Sequence, residues 1–186
     1  MSSDEPRGPG DAIRPRSSAD TEGDVQRVLS KLEQRGFDLR VNRLVANSPN
    51  AFRPFILFAD ALVTRAMLPA VVREVVVLHL AVMRNSDYEW YEHRRMALSA
   101  GVTADQMKAI RTGRIGPELF SAEQLLGISI ADELMGGQGL ARQQWKAAID
   151  AWAVEGAMDL VLSVGWWGGL VPLVLEALAV KPPPEA

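Results

Sequence analysis

Paired signals for helix starts and helix stops recur along this 186-residue chain, and they constrain its fold more than any other feature. Thr103–Gln106 and Ser121–Gln124 are both capping boxes, in which two side chains satisfy the free N–H groups of a helix start. Gly36 and Gly101 follow stretches with helical spacing, and glycine is the residue that most often ends a helix. No hairpin signal and no internal repeat interrupts this series. The sequence therefore predicts an all-α fold.

Apolar residues at helical spacing place the individual helices. The predicted helices cover residues 22–34, 51–67, 70–83, 86–100, 103–112, 121–135, 143–154 and 158–178. The helix over 70–83 is apolar on nearly every side, so we expect it to be central. Its β-branched run Val75–Val77 would also suit a strand, but the length of the segment and the proline before it favour a helix.

Length and composition fit one domain. With 48% hydrophobic residues the chain is long enough for one well-formed core, which we place at residues 21–180. Residues 1–20 are rich in Ser, Pro, Gly, Asp and Arg, and they are predicted to form a flexible tail. Residues 181–186 hold three prolines and form a second short tail. Because the first tail lacks the apolar core of a signal peptide, we expect a cytoplasmic protein.

Charge and cysteine content exclude several classes of function. The net charge is −3, and no cluster of Lys and Arg interleaves with aromatic residues, so nucleic acid is not an expected partner. The chain has no cysteine, which rules out disulfides, thiolate metal sites and redox chemistry on sulfur. Residues 160–175 are uncharged but shorter than the roughly 20 residues of a membrane span, and Pro172 interrupts them. We therefore predict a buried or subunit-interface helix there and no membrane partner.

Glu89 and His93 are the strongest candidates for chemistry. Residues four apart lie on the same face of a helix, so this carboxylate and this imidazole reach one small volume. Imidazole titrates near neutral pH and a neighbouring carboxylate tunes it, which makes the pair suited to proton transfer. Ser86 lies on the same face. However, Ser86 and Glu89 also have the spacing of a capping box, and the sequence does not choose between the two roles.

Glu74 is a further candidate, because it lies on the apolar helix 70–83, where a carboxylate is costly unless it is paired. We expect Glu74 to face inward and meet the Glu89–His93 pair, while Arg73 points to solvent. The alternative is a surface Glu74 in a salt bridge with an arginine. His79 is expected to be structural. Glu74, Glu89, His93 and His79 offer metal-ligand atoms, but no familiar ligand spacing is present, and we predict no metal.

The adjacent Trp166 and Trp167 lie in a glycine-rich part of the last predicted helix. We expect them to fill the core or a subunit contact rather than to line a pocket.

At these positions the chain resembles the carboxymuconolactone decarboxylase family, within the alkylhydroperoxidase D-like superfamily. The resemblance covers about residues 50–112, and it is carried by Leu68–Glu74, Tyr88–His93, Ala97, Ala100–Thr103 and Ile110. Its most specific part is the string Tyr-Glu-Trp-x-x-His. The resemblance implies a cofactor-independent helical bundle that assembles as a homo-oligomer, commonly a trimer or a hexamer.

The peroxidase branch of that superfamily relays protons through a Glu, a Cys-x-x-Cys pair and a His. Glu74 and His93 match the Glu and the His, whereas Ser86 and Glu89 occupy the two cysteine positions. Without a thiol the chain cannot run a peroxidatic cysteine cycle. The decarboxylase branch typically lacks the cysteine pair, and there Glu89 and His93 form the acid/base constellation.

The resemblance thus implies a lyase that decarboxylates a small carboxylated lactone or keto acid. His93 is the expected proton donor, Glu89 tunes it, Glu74 completes the relay, and Ser86 and Tyr88 bind the substrate. The same groups would serve an isomerase or a dehydratase acting on another small carbonyl metabolite. A third alternative is a non-catalytic, oligomeric ligand-binding protein in which structural partners occupy all three relay side chains.

Overall fold

The computed structural model describes residues 13–37, 39–137 and 139–183, and the regular structure in these ranges is entirely helical. The α-helices are α1 (Gly23–Arg35), α2 (Arg40–Val45), α3 (Pro49–Thr64), α4 (Ala70–Met83), α5 (Asp87–Ala100), α6 (Ala104–Thr112), α7 (Ala122–Met135), α8 (Arg142–Val164) and α9 (Val171–Ala177). A short 3₁₀ turn, Ser18–Asp20, precedes α1, and a π-helical segment, Gly165–Leu170, joins α8 to α9. The predicted all-α fold class is confirmed.

The predicted helix boundaries hold where a side chain or a glycine fixes them. Thr103 and Ser121 each accept a hydrogen bond from the backbone N–H three residues on, and both capping boxes are closed. Gly36 and Gly101 end α1 and α5 with φ of 69° and 100°, in the left-handed region that favours glycine. The sequence gives no sign of α2, because six residues are too few for a periodic pattern.

One compact unit comprises the residues up to Asp60 together with Leu173–Lys181. Its core contains Val25, Leu29, Ala46 and Phe52. Ser18, in the predicted N-terminal tail, donates hydrogen bonds from its N–H and its hydroxyl to the carboxylate of Glu33 on α1. Residues 1–12 and 184–186 of the two predicted tails lie outside the described residues.

The other compact unit comprises Ala61–Pro172 with the residues from Pro182 onward. Helix α4 is its centre, as its apolar composition predicts, since α4 packs against α5, α6, α7, α8 and the π-helical segment. One core cluster contains residues from α4, from α5 to α7 and from the loops between them: Val75, Leu78, Ala97, Val102, Ala109, Ile110, Phe120 and Ile128.

Helix α8 and the π-helical segment run beside α4 in the same direction. At the start of α4, Asp159 Oδ2 accepts the N–H of Met67 at 2.5 Å. Near the end of α4, a Cβ atom on Gly168 would lie 3.0 Å from Leu80 Cδ2, so the backbone at Gly168 lies close against the Leu80 side chain there.

A π-helix places more residues in each turn than an α-helix, and such turns are frequent at functional sites. This segment carries Trp166 and Trp167, and both are buried.

The stretch Arg142–Ala177 has the length and mean hydropathy, 1.6 over 18 residues, of a helix that could cross a membrane. Half of that apolar window is buried inside the protein, and buried core helices have the same composition.

Ala153 interrupts α8 with φ 56° and ψ −178°, a conformation that is essentially restricted to glycine. We expect Ala153→Gly to stabilise the protein by about 1 kcal/mol, because relief of backbone strain outweighs the entropy that glycine loses on folding. The midpoint of urea unfolding measures this effect.

Ala151→Gly, two residues earlier on the same helix, is the matched control. Ala151 is exposed and helical, so this change should destabilise the protein by about 1 kcal/mol. Equal destabilisation by both substitutions would contradict a strained Ala153.

Candidate active site

Helices α4 and α5 bring the three predicted relay residues together. Glu74 is on α4, and Glu89 and His93 are one turn apart on α5. His93 Nδ1 lies 2.9 Å from Glu74 Oε2, and His93 Nε2 lies 3.5 Å from Glu89 Oε2. The imidazole therefore stands between two carboxylates from neighbouring helices.

Glu74 is completely buried, and both of its carboxylate oxygens have partners. Oε1 accepts hydrogen bonds from Nε and Nη2 of Arg73, each at 3.1 Å, and Oε2 pairs with His93 Nδ1. Glu74 therefore faces inward, as expected. It also forms an ion pair with an arginine, which is the pairing expected for a Glu74 at the surface.

The prediction that Arg73 points to solvent is wrong. Its side chain is 7% exposed, and Nη1 donates to the backbone carbonyl of Leu62 at 3.3 Å. A fully buried carboxylate needs a compensating charge, and the long arginine side chain supplies it by folding back onto Glu74. An arginine next to a glutamate in an otherwise apolar helix was the available signal for this pairing.

The position of Glu74 determines which nitrogen of His93 carries a proton. An ionised carboxylate only accepts hydrogen bonds, so Nδ1 must donate to Glu74. Nε2 then faces Glu89 at 3.5 Å, which is beyond ordinary hydrogen-bond distance. Trp167 packs its edge against the imidazole, with ring centroids 5.3 Å apart and planes at 81°. Trp167 therefore fixes the orientation of the ring, in addition to filling the core.

The pKa values of Glu74 and His93 move in opposite directions. Burial raises the pKa of Glu74, but hydrogen bonds from His93 and Arg73, with their positive charges, bring it below its ordinary value. Burial lowers the pKa of His93, yet the hydrogen bond to Glu74 and the charges of Glu74 and Glu89 leave it raised. The ionised carboxylate and the imidazolium thus favour each other.

Glu89 behaves differently from Glu74, because burial raises its pKa and the positive charge of His93 offsets this only in part. Its side chain is 5% exposed and that of His93 is 7% exposed, whereas Glu74 has no exposed area. The carboxyl that holds a proton more readily therefore lies on the Nε2 side of His93, and the more acidic carboxyl lies on the Nδ1 side.

The structure separates the two roles proposed for the Ser86–Glu89 pair. Ser86 Oγ accepts the backbone N–H of Glu89 at 3.3 Å and caps α5. The return bond of a capping box is not formed, since the N–H of Ser86 donates to the carbonyl of Ala81 at 2.8 Å. The Glu89 carboxylate is directed to His93 instead.

The hydroxyl of Tyr88 is hydrogen-bonded to Glu92, a half-buried glutamate that the sequence did not single out. Burial raises the pKa of Glu92.

His79 belongs to a separate contact, with its Nε2 2.7 Å from Asp132 Oδ1 on α7. Across residues 13–37, 39–137 and 139–183, no group of three or more His, Cys, Asp or Glu side chains is arranged to hold a metal ion.

Comparison with known proteins gives a family match over part of the chain and a structural match over nearly all of it. Residues 49–133, which cover α3 and nearly all of α4 to α7, match the model of the Carboxymuconolactone decarboxylase family. A crystal structure of an uncharacterized peroxidase-related protein from Silicibacter sp. TM1040 superposes with a TM-score of 0.75 at 14% identity. The match covers 99% of this chain and 96% of that chain, and at this identity it shows the fold alone. No curated protein matches the chain. The predicted resemblance to this family is confirmed over residues 49–133, and the predicted alkylhydroperoxidase D-like helical fold is confirmed.

Glu74→Gln should lower the pKa of His93, because it removes the negative charge beside Nδ1 and leaves Arg73 unopposed. The same change should destabilise the protein by about 3 kcal/mol or more, as expected when one partner of a buried ion pair is removed. Titration of the imidazole signals by NMR measures the first effect, and denaturant unfolding measures the second.

The chain has only two histidines, so His79 is an internal control in this titration. The signals of His79 should coincide in the wild type and in Glu74→Gln, because His79 contacts Asp132 and not Glu74. An unchanged His93 pKa would contradict the pairing described here.

Glu89→Gln should gain stability relative to the wild type as the pH rises from about 5 to about 8. A carboxyl whose pKa is raised by folding contributes most at low pH, and this contribution is lost as the pH rises through the folded pKa. Glu89 also raises the pKa of His93, and this second linkage has the same sign. Unfolding free energies measured across this pH range test the prediction.

Glu155→Gln, which changes an exposed carboxylate on α8, is the control and should follow the wild type at every pH. A difference between Glu89→Gln and the wild type that stays constant with pH would show that Glu89 is not perturbed.

Proposed function

We propose that this protein is a cofactor-independent lyase, because residues 49–133 match the model of the Carboxymuconolactone decarboxylase family. Its substrate would be a small carboxylated lactone or keto acid, which it decarboxylates by acid/base chemistry. The observation that supports this most is the position of His93, held at Nδ1 by the buried Glu74 while Nε2 faces Glu89.

The chemical step requires a proton source and a stabiliser of negative charge. When carbon dioxide leaves, the electron pair of the broken C–C bond moves into the neighbouring carbonyl group and forms an enolate. His93 Nε2 then delivers a proton to carbon, and the electron pair of the enolate forms the new C–H bond. No electrons are gained or lost overall, so the step needs neither an oxidant nor a reductant.

The two carboxylates have different parts in this proposal. Glu74, whose pKa is lowered, stabilises the imidazolium form of His93 and so favours the charged proton donor. Glu89 holds a proton more readily, passes it to Nε2 after turnover once the 3.5 Å separation closes, and is then reprotonated by solvent. Arg73 acts through Glu74, as a positioning residue.

Ser86 and Tyr88 are the proposed substrate-binding residues. The hydroxyl oxygen of Ser86 accepts the N–H of Glu89, so its hydrogen can be donated to a substrate oxygen. Tyr88 is buried, and its hydroxyl supports the site through a hydrogen bond to Glu92.

The lack of cysteine separates this protein from thiol peroxidases, because no residue can form the required disulfide. An isomerase or a dehydratase would use the same groups, but it would release no carbon dioxide.

We also propose a homo-oligomer, of three or six subunits as in the family, located in the cytoplasm. An exposed apolar stripe on α8, formed by Val154, Met158 and Leu162 at intervals of four residues, supports the assembly. A chain without cysteine is compatible with the reducing cytosol.

A screen of the purified protein against carboxylated lactones and β-keto acids tests the proposed reaction, with carbon dioxide release as the readout. His93→Gln should reduce kcat by about 10²–10⁴-fold, because it removes the proton donor. Glu89→Gln should also reduce kcat and should change the pH profile.

His79→Asn is the matched control, since it removes the other histidine of the chain and should leave kcat unchanged. Full turnover by both His93→Gln and Glu89→Gln would contradict the relay. Turnover without carbon dioxide release would identify an isomerase or a dehydratase.

A further inference from the structure

A surface cleft lies between the end of α4, the start of α5 and the end of α6. Its volume is about 170 Å³, roughly the share of six water molecules in the liquid. Ala81 and Val82 form an apolar part of its lining, and Asn85 and Ser86 provide polar groups. Trp90 and Arg111 complete one wall.

Helical spacing connects this cleft to the relay. Ser86, Trp90 and His93 are at positions i, i+4 and i+7 of α5, so they share one face of the helix. Ser86 and Trp90 line the cleft, while Glu89 and His93 belong to the relay. A small molecule stacked on Trp90 would therefore lie on the same side of α5 as His93, about one helical turn before it.

Arg111 is held in place by an aromatic contact. Its guanidinium carbon lies 4.2 Å from the centre of the Trp90 ring, which is a cation–π arrangement. Within the described part of the chain Arg111 has no carboxylate partner. Stacking uses the face of the guanidinium and leaves the N–H groups at its edge able to pair with a carboxylate.

The lining of the cleft carries both a negative and a positive charge. Asp87, a further lining residue, carries a negative charge, whereas Arg111 is positive. A carboxylate is therefore favoured at Arg111 and repelled at Asp87. The indole of Trp90 offers a flat apolar surface beside Arg111, which suits a planar, unsaturated body.

We infer that Arg111 and Trp90 form the subsite that binds the carboxylate of a planar, singly charged small molecule. The inference rests on the proposed function in that this molecule is taken to be the substrate. Arg111 would then determine specificity for anionic substrates, and Trp90 would both hold Arg111 and stack against the unsaturated body.

Binding of benzoate, followed by the NMR signal of the Trp90 indole N–H, tests this inference in the intact protein. The signal is identified by its loss in Trp90→Phe. Benzoate should shift it in a saturable way, and Arg111→Met should weaken binding by about tenfold or more, as expected for a charge-assisted hydrogen-bonded pair.

Two controls distinguish specific binding at Arg111 and Trp90 from general attraction between charges. Arg114→Met removes the same charge from an exposed position outside the cleft, and it should bind benzoate like the wild type. Benzamide has the same shape without the charge, and it should bind at least about tenfold more weakly than benzoate. Equal loss in Arg111→Met and Arg114→Met, equal binding of benzamide, or no saturable shift in the wild type would each overturn the inference.

These outcomes are independent of turnover. Benzoate binding that depends on Arg111, without decarboxylation of any compound in the screen, would support the subsite and contradict the proposed reaction. Decarboxylation with the same KM in Arg111→Met and in the wild type would support the reaction and overturn the subsite.

Discussion

The structure of the candidate site depends on one buried carboxylate, that of Glu74. A glutamate without exposed area is tolerated only when its charge is compensated, and here Arg73 and His93 each pair with one of its oxygens. Because Glu74 is on α4 and His93 is on α5, this compensation also fixes the contact between the two helices. It determines which imidazole nitrogen donates to the carboxylate and which faces Glu89.

This interaction gives Glu74, His93 and Glu89 different affinities for protons. Glu74, completely buried, has its pKa lowered by two cationic partners, whereas Glu89, with a small exposed area, has its pKa raised by burial. His93 lies between them with a raised pKa, so His93 and Glu89 hold protons more readily than Glu74 does. A purely structural ion pair would not need the second carboxyl, since Arg73 and His93 already compensate Glu74. This surplus acid next to an imidazole is the feature that favours catalysis over a structural role.

Much of the fold was predictable, because local chemistry determines it. Capping boxes at Thr103 and Ser121 and the glycines at 36 and 101 mark helix ends through hydrogen bonds and backbone angles that involve only neighbouring residues. The Glu89–His93 pair was predictable in the same way, from its spacing on one helix. The inward orientation of Glu74 was favoured by the cost of an unpaired carboxylate on an apolar helix.

The remaining features depend on contacts between helices that no local pattern records. Arg73 is buried because its side chain folds back onto Glu74, and the order of residues along α4 does not record that contact. Whether Glu89 caps α5 or faces His93 depends on the N–H of Ser86, which bonds to Ala81 on the preceding helix. Trp167 reaches His93 from the π-helical segment, whose winding the sequence did not indicate.

The central claim is that Glu74 keeps the proton of His93 on Nδ1, and ¹⁵N NMR of the labelled imidazole measures this directly. Across the titration of His93 in the wild-type protein, we expect the Nδ1 resonance to stay that of a protonated nitrogen, while Nε2 gains and loses the proton. A neutral His93 with its proton on Nε2 would contradict the account, because Nδ1 would then have no proton to donate to Glu74.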